Sequence, residues 1–229
     1  MGVIRSLLGR FRFQKKSVDW QTLVNSISAG SAYLSQGASY SYLRARTLLA
    51  GPRLFQDEGF GFAMDICKWE GFAVAGQDIL LMIESELRAR LPGASADRKR
   101  LLMALYRDVL ASEAVPSHRH EKGWSDMIEG FDRRLDTMLS AAPQKPDEIA
   151  KATGKCLLAH APIDASVRAA DEIMVVNNVG FRFIDFQSQL RREFDFNLLA
   201  EFLAAKAQQL SAQPSATDTL ATQGLTQSA

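Results

Sequence analysis

Cysteine is almost missing from this chain. Cys67 and Cys156 are the only two, and they lie too far apart for a C-x-x-C motif. That excludes a disulfide framework and a cysteine-rich zinc site, and it makes reduced, buried thiols the expectation, as in a reducing compartment. Histidine is equally scarce, with only His118, His120 and His160. No Glu has a His three residues later, so the repeated Glu-x-x-His pattern of a di-iron bundle is not available. There is no G-x-S-x-G, which an α/β-hydrolase needs at the turn that exposes its serine. There is no G-x-x-x-x-G-K-[ST] and no G-x-G-x-x-G, so no phosphate loop or dinucleotide fingerprint is present, and no cofactor is implied. An excess of one charge is lacking too: 27 basic residues face 26 acidic ones, for a net +1. A dedicated nucleic-acid binder would carry a strong basic surplus, so nucleic acid is not an expected partner. The most apolar stretch, Phe60 to Ile83, is interrupted by Asp65, Lys68, Glu70 and Asp78, which excludes an ordinary membrane span.

What is present is helical periodicity. With 229 residues and a 47% hydrophobic content, one domain can bury a core. Apolar and small residues recur in steps of three and four from Trp20 through Val24, Ile27, Ser31, Leu34, Ala38, Ser41 and Ala45 to Leu48. This predicts a helix over 18–49, stopped by Gly51-Pro52, whose Gly30 and Gly37 let a neighbour approach closely. A second helix is predicted over 59–90, with Asp78 interrupting its stripe and Pro92-Gly93 as its stop. Gly59-Phe60-Gly61-Phe62 reads as a turn that packs two Phe rings. Ser95 and Ser125 are expected N-caps of two further helices, separated by a loop at Pro116–His120. A helix over 147–158 leads to Ala161-Pro162. A long helix over 163–192 follows, with the seam Ile163, Val167, Ala170, Met174, Asn177, Phe181 and Ile184, widened by Ile173, Val176, Phe183 and Leu190. So broad an apolar surface predicts the central helix of a bundle. The Phe181, Phe183, Phe186, Phe194 and Phe196 series, interleaved with arginines, has the spacing of core packing more than of a base-stacking platform. Asp195 is the expected cap of a last helix.

The fold expected is therefore all-α: a single multi-helix bundle over 17–210, preceded by a basic amphipathic helical arm over 1–16 and followed by a disordered Ser/Thr/Ala/Gln-rich tail over 211–229. In the arm, Val3, Ile4, Leu7, Leu8 and Phe11 form an apolar stripe surrounded by Arg5, Arg10, Arg12, Lys15 and Lys16, with no acid. That composition suits an anionic membrane surface; a solvated, frayed terminus, docking on the chain's own domain and a transit peptide are the other readings.

Four stretches carry a resemblance. They are Tyr33-Leu34-Ser35-Gln36 with Tyr42-Leu43-Arg44-Ala45-Arg46; Phe131-Asp132-Arg133-Arg134-Leu135; Ala161-Pro162-Ile163; and Asp171-Glu172-Ile173 with Asn177. Together, over about 20–200, they resemble a small alphaproteobacterial family whose members sometimes carry the label "esterase". The resemblance implies a bacterial cytoplasmic setting rather than an organelle, and it brings over no catalytic residue.

The candidate site residues are polar. Asp171, Asn178 and Asp185 recur every seven residues and share one helix face, with Arg182 four residues after Asn178. Tyr42 with Arg44 and Arg46 has the composition of a protein interface. Asp78 and Asn177 interrupt apolar stripes, and one of them is expected to meet Arg44, Arg46 or Arg182 across the bundle, since a buried polar group needs a partner. His118-Arg119-His120-Glu121 begins like a metal motif, but Trp124 stands where H-E-x-x-H needs its second His, so no metal site is assigned. His160 is expected to meet the last carbonyls of its helix. The functional expectation is a non-catalytic protein-interaction protein, an adaptor or regulator, cytoplasmic and peripheral at the inner membrane face. A small-molecule or lipid-binding bundle and an atypical hydrolase are the alternatives.

Overall fold

The computed structural model describes residues 15–47, 51–91 and 93–212. Nearly all of them are helical, and none is in a strand. In chain order the helices are α1 (Trp20–Thr47), α2 (Gly51–Leu54), α3 (Glu58–Leu87), α4 (Ser95–Ala111), α5 (Ser125–Ser140), α6 (Pro146–Ile149), α7 (Lys151–His160), α8 (Ala165–Glu193) and α9 (Phe196–Ala212). Single 3-10 turns follow α3 at Arg88–Arg90 and precede α5 at Ser117–Arg119. The body of the arm and the tail from 213 on lie outside the described residues. The tail boundary moves, because Ser211 belongs to α9 and its hydroxyl donates to Asp97 Oδ1 at 2.6 Å.

Aspartates start three of the long helices. Asp57 caps α3 by accepting from Phe60 N at 2.8 Å, Asp164 caps α8 through Ser166 N at 2.8 Å, and Asp195 accepts from Asn197 N at 3.0 Å at the head of α9. Ser95 and Ser125 are first helical residues rather than caps. Ala94 and Trp124 hold the cap positions, and Ser125 Oγ donates back to Lys122 O at 3.0 Å. The predicted turn at Gly59–Phe62 is instead the first turn of α3, with Phe60 edge-on to Phe55 at 5.4 Å and Phe62 exposed. The single helix predicted over 147–158 is two, divided at Ala150.

The centre of the bundle is α3, not α8. From Glu70 to Glu84 every residue except Val74 is buried, because α1, α4, α5, α6 and α7 surround it. Phe72, Ile79 and Leu80 of α3 meet a core built from Leu23, Ile27, Leu34 and Leu43 of α1, Tyr106 of α4, Phe131 of α5 and Phe183 of α8. Close approach is set by glycines at two contacts. A Cβ at Gly30 would collide with the Phe186 ring, and one at Gly154 would stand 2.9 Å from the Val176 Cα, so α1 and α7 sit tight against α8.

The inner face of α8 is therefore Asp171, Val175, Val176, Val179, Gly180, Phe183, Phe186 and Leu190. That corrects the expected seam. Val176, Phe183 and Leu190 point inward, but Ala170, Met174, Asn177, Phe181 and Ile184 are exposed, and so is Ile173.

Candidate functional site

The heptad-spaced residues are brought partly together, on the side where α1 and α8 run past each other. Tyr42 Oη donates to Asp171 Oδ2 at 2.9 Å, and Arg46 Nε donates to the same oxygen at 2.6 Å. The Arg46 Nη2 donates to Asp171 Oδ1, completing a bidentate pair. Hydrogen bonding from Arg46 holds the Asp171 carboxyl below its ordinary range, while burial and the Asp171 contact push the Tyr42 phenol up to about 12. Eleven residues on, Arg182 Nε donates to Asn178 Oδ1 at 3.1 Å and its Nη2 donates to Ser41 Oγ at 3.1 Å. Between these two clasps lies a shallow groove of about 150 Å³, lined by Ala38, Ser41, Tyr42, Ala45, Met174 and Asn178 among others. It is smaller than the roughly 300–1,000 Å³ of drug-sized ligand pockets. Its polar groups already satisfy one another, so the arrangement works as a clasp that fixes the register of α1 on α8. Arg44 and Asp185 are exposed and enter neither clasp.

Lys15 and Lys16, assigned to the arm, are tied to the body. Lys16 N donates to Glu193 O at 2.7 Å, its Nζ lies 2.8 Å from Glu193 Oε2, and Lys15 Nζ lies 3.3 Å from Asp195 Oδ2. Arg5, Arg10 and Arg12 lie outside the described residues.

The partner expected for Asp78 is corrected. Asp78 is fully buried and meets Arg134, whose Nη2 stands 2.5 Å from its Oδ1, and Thr153, whose Oγ1 and N donate to Oδ2 at 2.6 and 3.0 Å. Burial pushes this carboxyl up, against the pull of Arg134 and Thr153. Asn177 meets none of the three arginines, because it faces outward. The segment that began like a metal motif supplies a second buried ion pair. Arg119 is 2% exposed, donates Nε to Glu70 Oε1 at 2.6 Å and Nη1 to Asp126 Oδ1 at 2.7 Å, and stacks on Trp124. His118 Nε2 lies 2.8 Å from the same Glu70 oxygen. Burial opposes ionisation of Glu70, but Arg119 and His118 outweigh it and hold the carboxyl low. The sequence marked Glu70 only as one of four charges interrupting the Phe60–Ile83 stretch, and nothing local told it from exposed Asp65.

His160 Nδ1 lies 3.0 Å from the Cys156 carbonyl oxygen, the helix-end contact expected of it. The Cys156 thiol is 3.7 Å away, and burial pushes it up to about 12, so the pair is not an activated thiolate.

The feature misassigned from the sequence is the outer face of α8, read there as core. Ile173 is 78% exposed, Phe181 68%, Met174 52% and Ile184 40%. A second shallow groove runs beside Phe181 and Ile184, edged by Asp147, Glu148 and Lys151. No helix among the described residues is long and apolar enough to cross a membrane. Comparison with protein-family models, with curated proteins and with solved structures gives no match for this chain.

Proposed function

We propose that the protein is a non-catalytic interaction protein of the bacterial cytoplasm, an adaptor or regulator, that receives a protein partner on the outer face of α8. The supporting observation is the row Ile173, Met174, Phe181 and Ile184, large apolar side chains left in water on one face of a helix whose other face is fully packed. Single exposed apolar residues need no explanation, but a contiguous row does. The proposal extends to a peripheral position at an anionic membrane surface, reached through Arg5, Arg10 and Arg12, since Lys15 and Lys16 are engaged with Glu193 and Asp195.

The test is a Phe181→Asp/Ile184→Asp double variant compared with the unchanged protein in affinity capture. The expected outcome is loss of the captured partner with an unchanged helical circular-dichroism spectrum and melting curve. Equal capture by both would overturn the assignment of this face. For the membrane part, replacing Arg5, Arg10 and Arg12 with Ala should abolish sedimentation with phosphatidylglycerol vesicles, and undiminished binding would remove it.

A further inference from the structure

The basic arm joins the body at the end of the very helix whose outer row is uncovered. Lys16 N donates to Glu193 O at 2.7 Å, and Lys15 Nζ lies 3.3 Å from Asp195 Oδ2. The arm before Lys15 lies outside the described residues, but its point of departure does not, and that point is the C-terminal end of α8. We infer that the arm docks back on the C-terminal half of the outer row, over Phe181 and Ile184, and exchanges between that seat and an anionic membrane surface. The consequence for a partner rests on the proposal that the outer face is an interaction surface.

Reach selects this occupant. Counted back from Glu193, Ile184 stands nine residues away and Phe181 twelve; counted back from Lys15, Leu7 stands eight away and Val3 twelve. A helical arm lying along α8 in the same direction rises by the same roughly 1.5 Å per residue. Leu7 then arrives level with Ile184 and Asp185, and Val3 level with Phe181. Ile173, twenty residues from Glu193, lies beyond Val3. The surfaces match in kind, since the arm offers the apolar stripe Val3, Ile4, Leu7, Leu8 and Phe11, while Phe181 is 68% exposed and Ile184 40%.

Charge selects it as well. Asp185 is exposed and forms no ion pair among the described residues, and in this register it falls between Arg5 and Arg10. Asp147 edges the groove beside Phe181 and Ile184 and is likewise unpaired among the described residues. The arm carries Arg5, Arg10 and Arg12 against no acid. Arg192, an exposed base with no ion pair among the described residues, falls level with Gln14, past the last of those arginines. A tethered segment docks at an effective concentration on the order of millimolar, so a small seat is enough.

The stripe and arginines that fit the seat are the ones an anionic membrane would take, so the two placements exclude each other. Membrane contact draws the arm off α8 and uncovers Phe181 and Ile184 for a partner. Partner binding in turn favours the arm on the membrane, because the coupling is reciprocal.

The experiment uses the full chain. Sedimentation with phosphatidylglycerol vesicles compares it with Phe181→Asp/Ile184→Asp. The double variant should bind about two- to three-fold more tightly, the gain from releasing an arm that is docked roughly half to two-thirds of the time. The sign is diagnostic, since added carboxylates and lost apolar surface each weaken direct contact with an anionic membrane. Equal or weaker binding overturns the seat. Its position is read by disulfide formation in dilute protein on a Cys156→Ser background. Leu7→Cys/Ile184→Cys should close within one chain at least about ten-fold faster than Leu7→Cys/Ile173→Cys, whose α8 position lies eleven residues farther from the anchor. Equal rates, or linked dimers in place of closed monomers, overturn it. Capture keeps the two proposals apart. If the double variant loses its captured partner and gains no vesicle affinity, the partner face stands and the arm seat falls. If it gains vesicle affinity and keeps its partner, the arm seat stands and the partner face falls.

Discussion

The two faces of α8 carry nearly the same kind of residues and have opposite fates. Inside are Val175, Val179, Phe183, Phe186 and Leu190, all buried; outside are Ile173, Met174, Phe181 and Ile184, all in water. The difference is not hydrophobicity. The inner face meets glycines and small residues on α1 and α7 that let helix axes come close, and its one charge, Asp171, is answered by Tyr42 and Arg46. The outer face has no such partner within the described chain. Apolar residues of one kind are buried or left in water according to what packs against them, not according to how apolar they are.

The sharpest way to break this contrast is to truncate one residue from each side. Phe183→Ala should cost about 3–5 kcal/mol in urea unfolding, because it opens a cavity in a close-packed core. Among polar groups, Glu70→Gln should cost about 3 kcal/mol, since it leaves the buried Arg119 guanidinium short of its carboxylate. The same pair predicts a pH dependence. Glu70 has a lowered value in the fold, so its contribution is present above the ordinary 4.5 and is lost as pH falls through the lowered one. The urea midpoint of the wild type should decline through that range, and Glu70→Gln should flatten the decline. Tyr42→Phe, which removes one hydrogen bond to Asp171, should cost about 1 kcal/mol by the same unfolding assay. Smallest of all, Phe181→Ala should change stability by no more than about 0.5 kcal/mol. A loss as large as that of Phe183→Ala would mean that the outer face is packed in the isolated protein, and the contrast would disappear.

Much of the fold was legible before any coordinates. The all-α class follows from apolar spacing, and α3 ends a few residues before Pro92-Gly93, as expected of a proline that cannot continue the ladder, whereas Gly51-Pro52, read as a stop, open the short α2. The close approach at Gly30 was legible for the same local reason. Of the candidate site, the Asn178–Arg182 pair was legible, as neighbours four apart on one helix; that Tyr42 and Arg46 meet Asp171 was not, because nothing local encodes how α1 crosses α8. The partners of Asp78 and Glu70 were not, since Arg134, Thr153 and Arg119 come from elements about fifty or more residues away, and nothing local encodes which helix arrives.

By itself the sequence determined the long helices, the Asp195 cap and the angular position of each stripe on α8, because periodicity and capping are properties of neighbouring residues. Only the tertiary structure decided which stripe of α8 lies inside. Two apolar rows on one helix compete for the same core, and the winner is the row whose shape fits the glycine-lined surfaces of α1 and α7. That choice left Met174, Phe181 and Ile184, read as core, facing water.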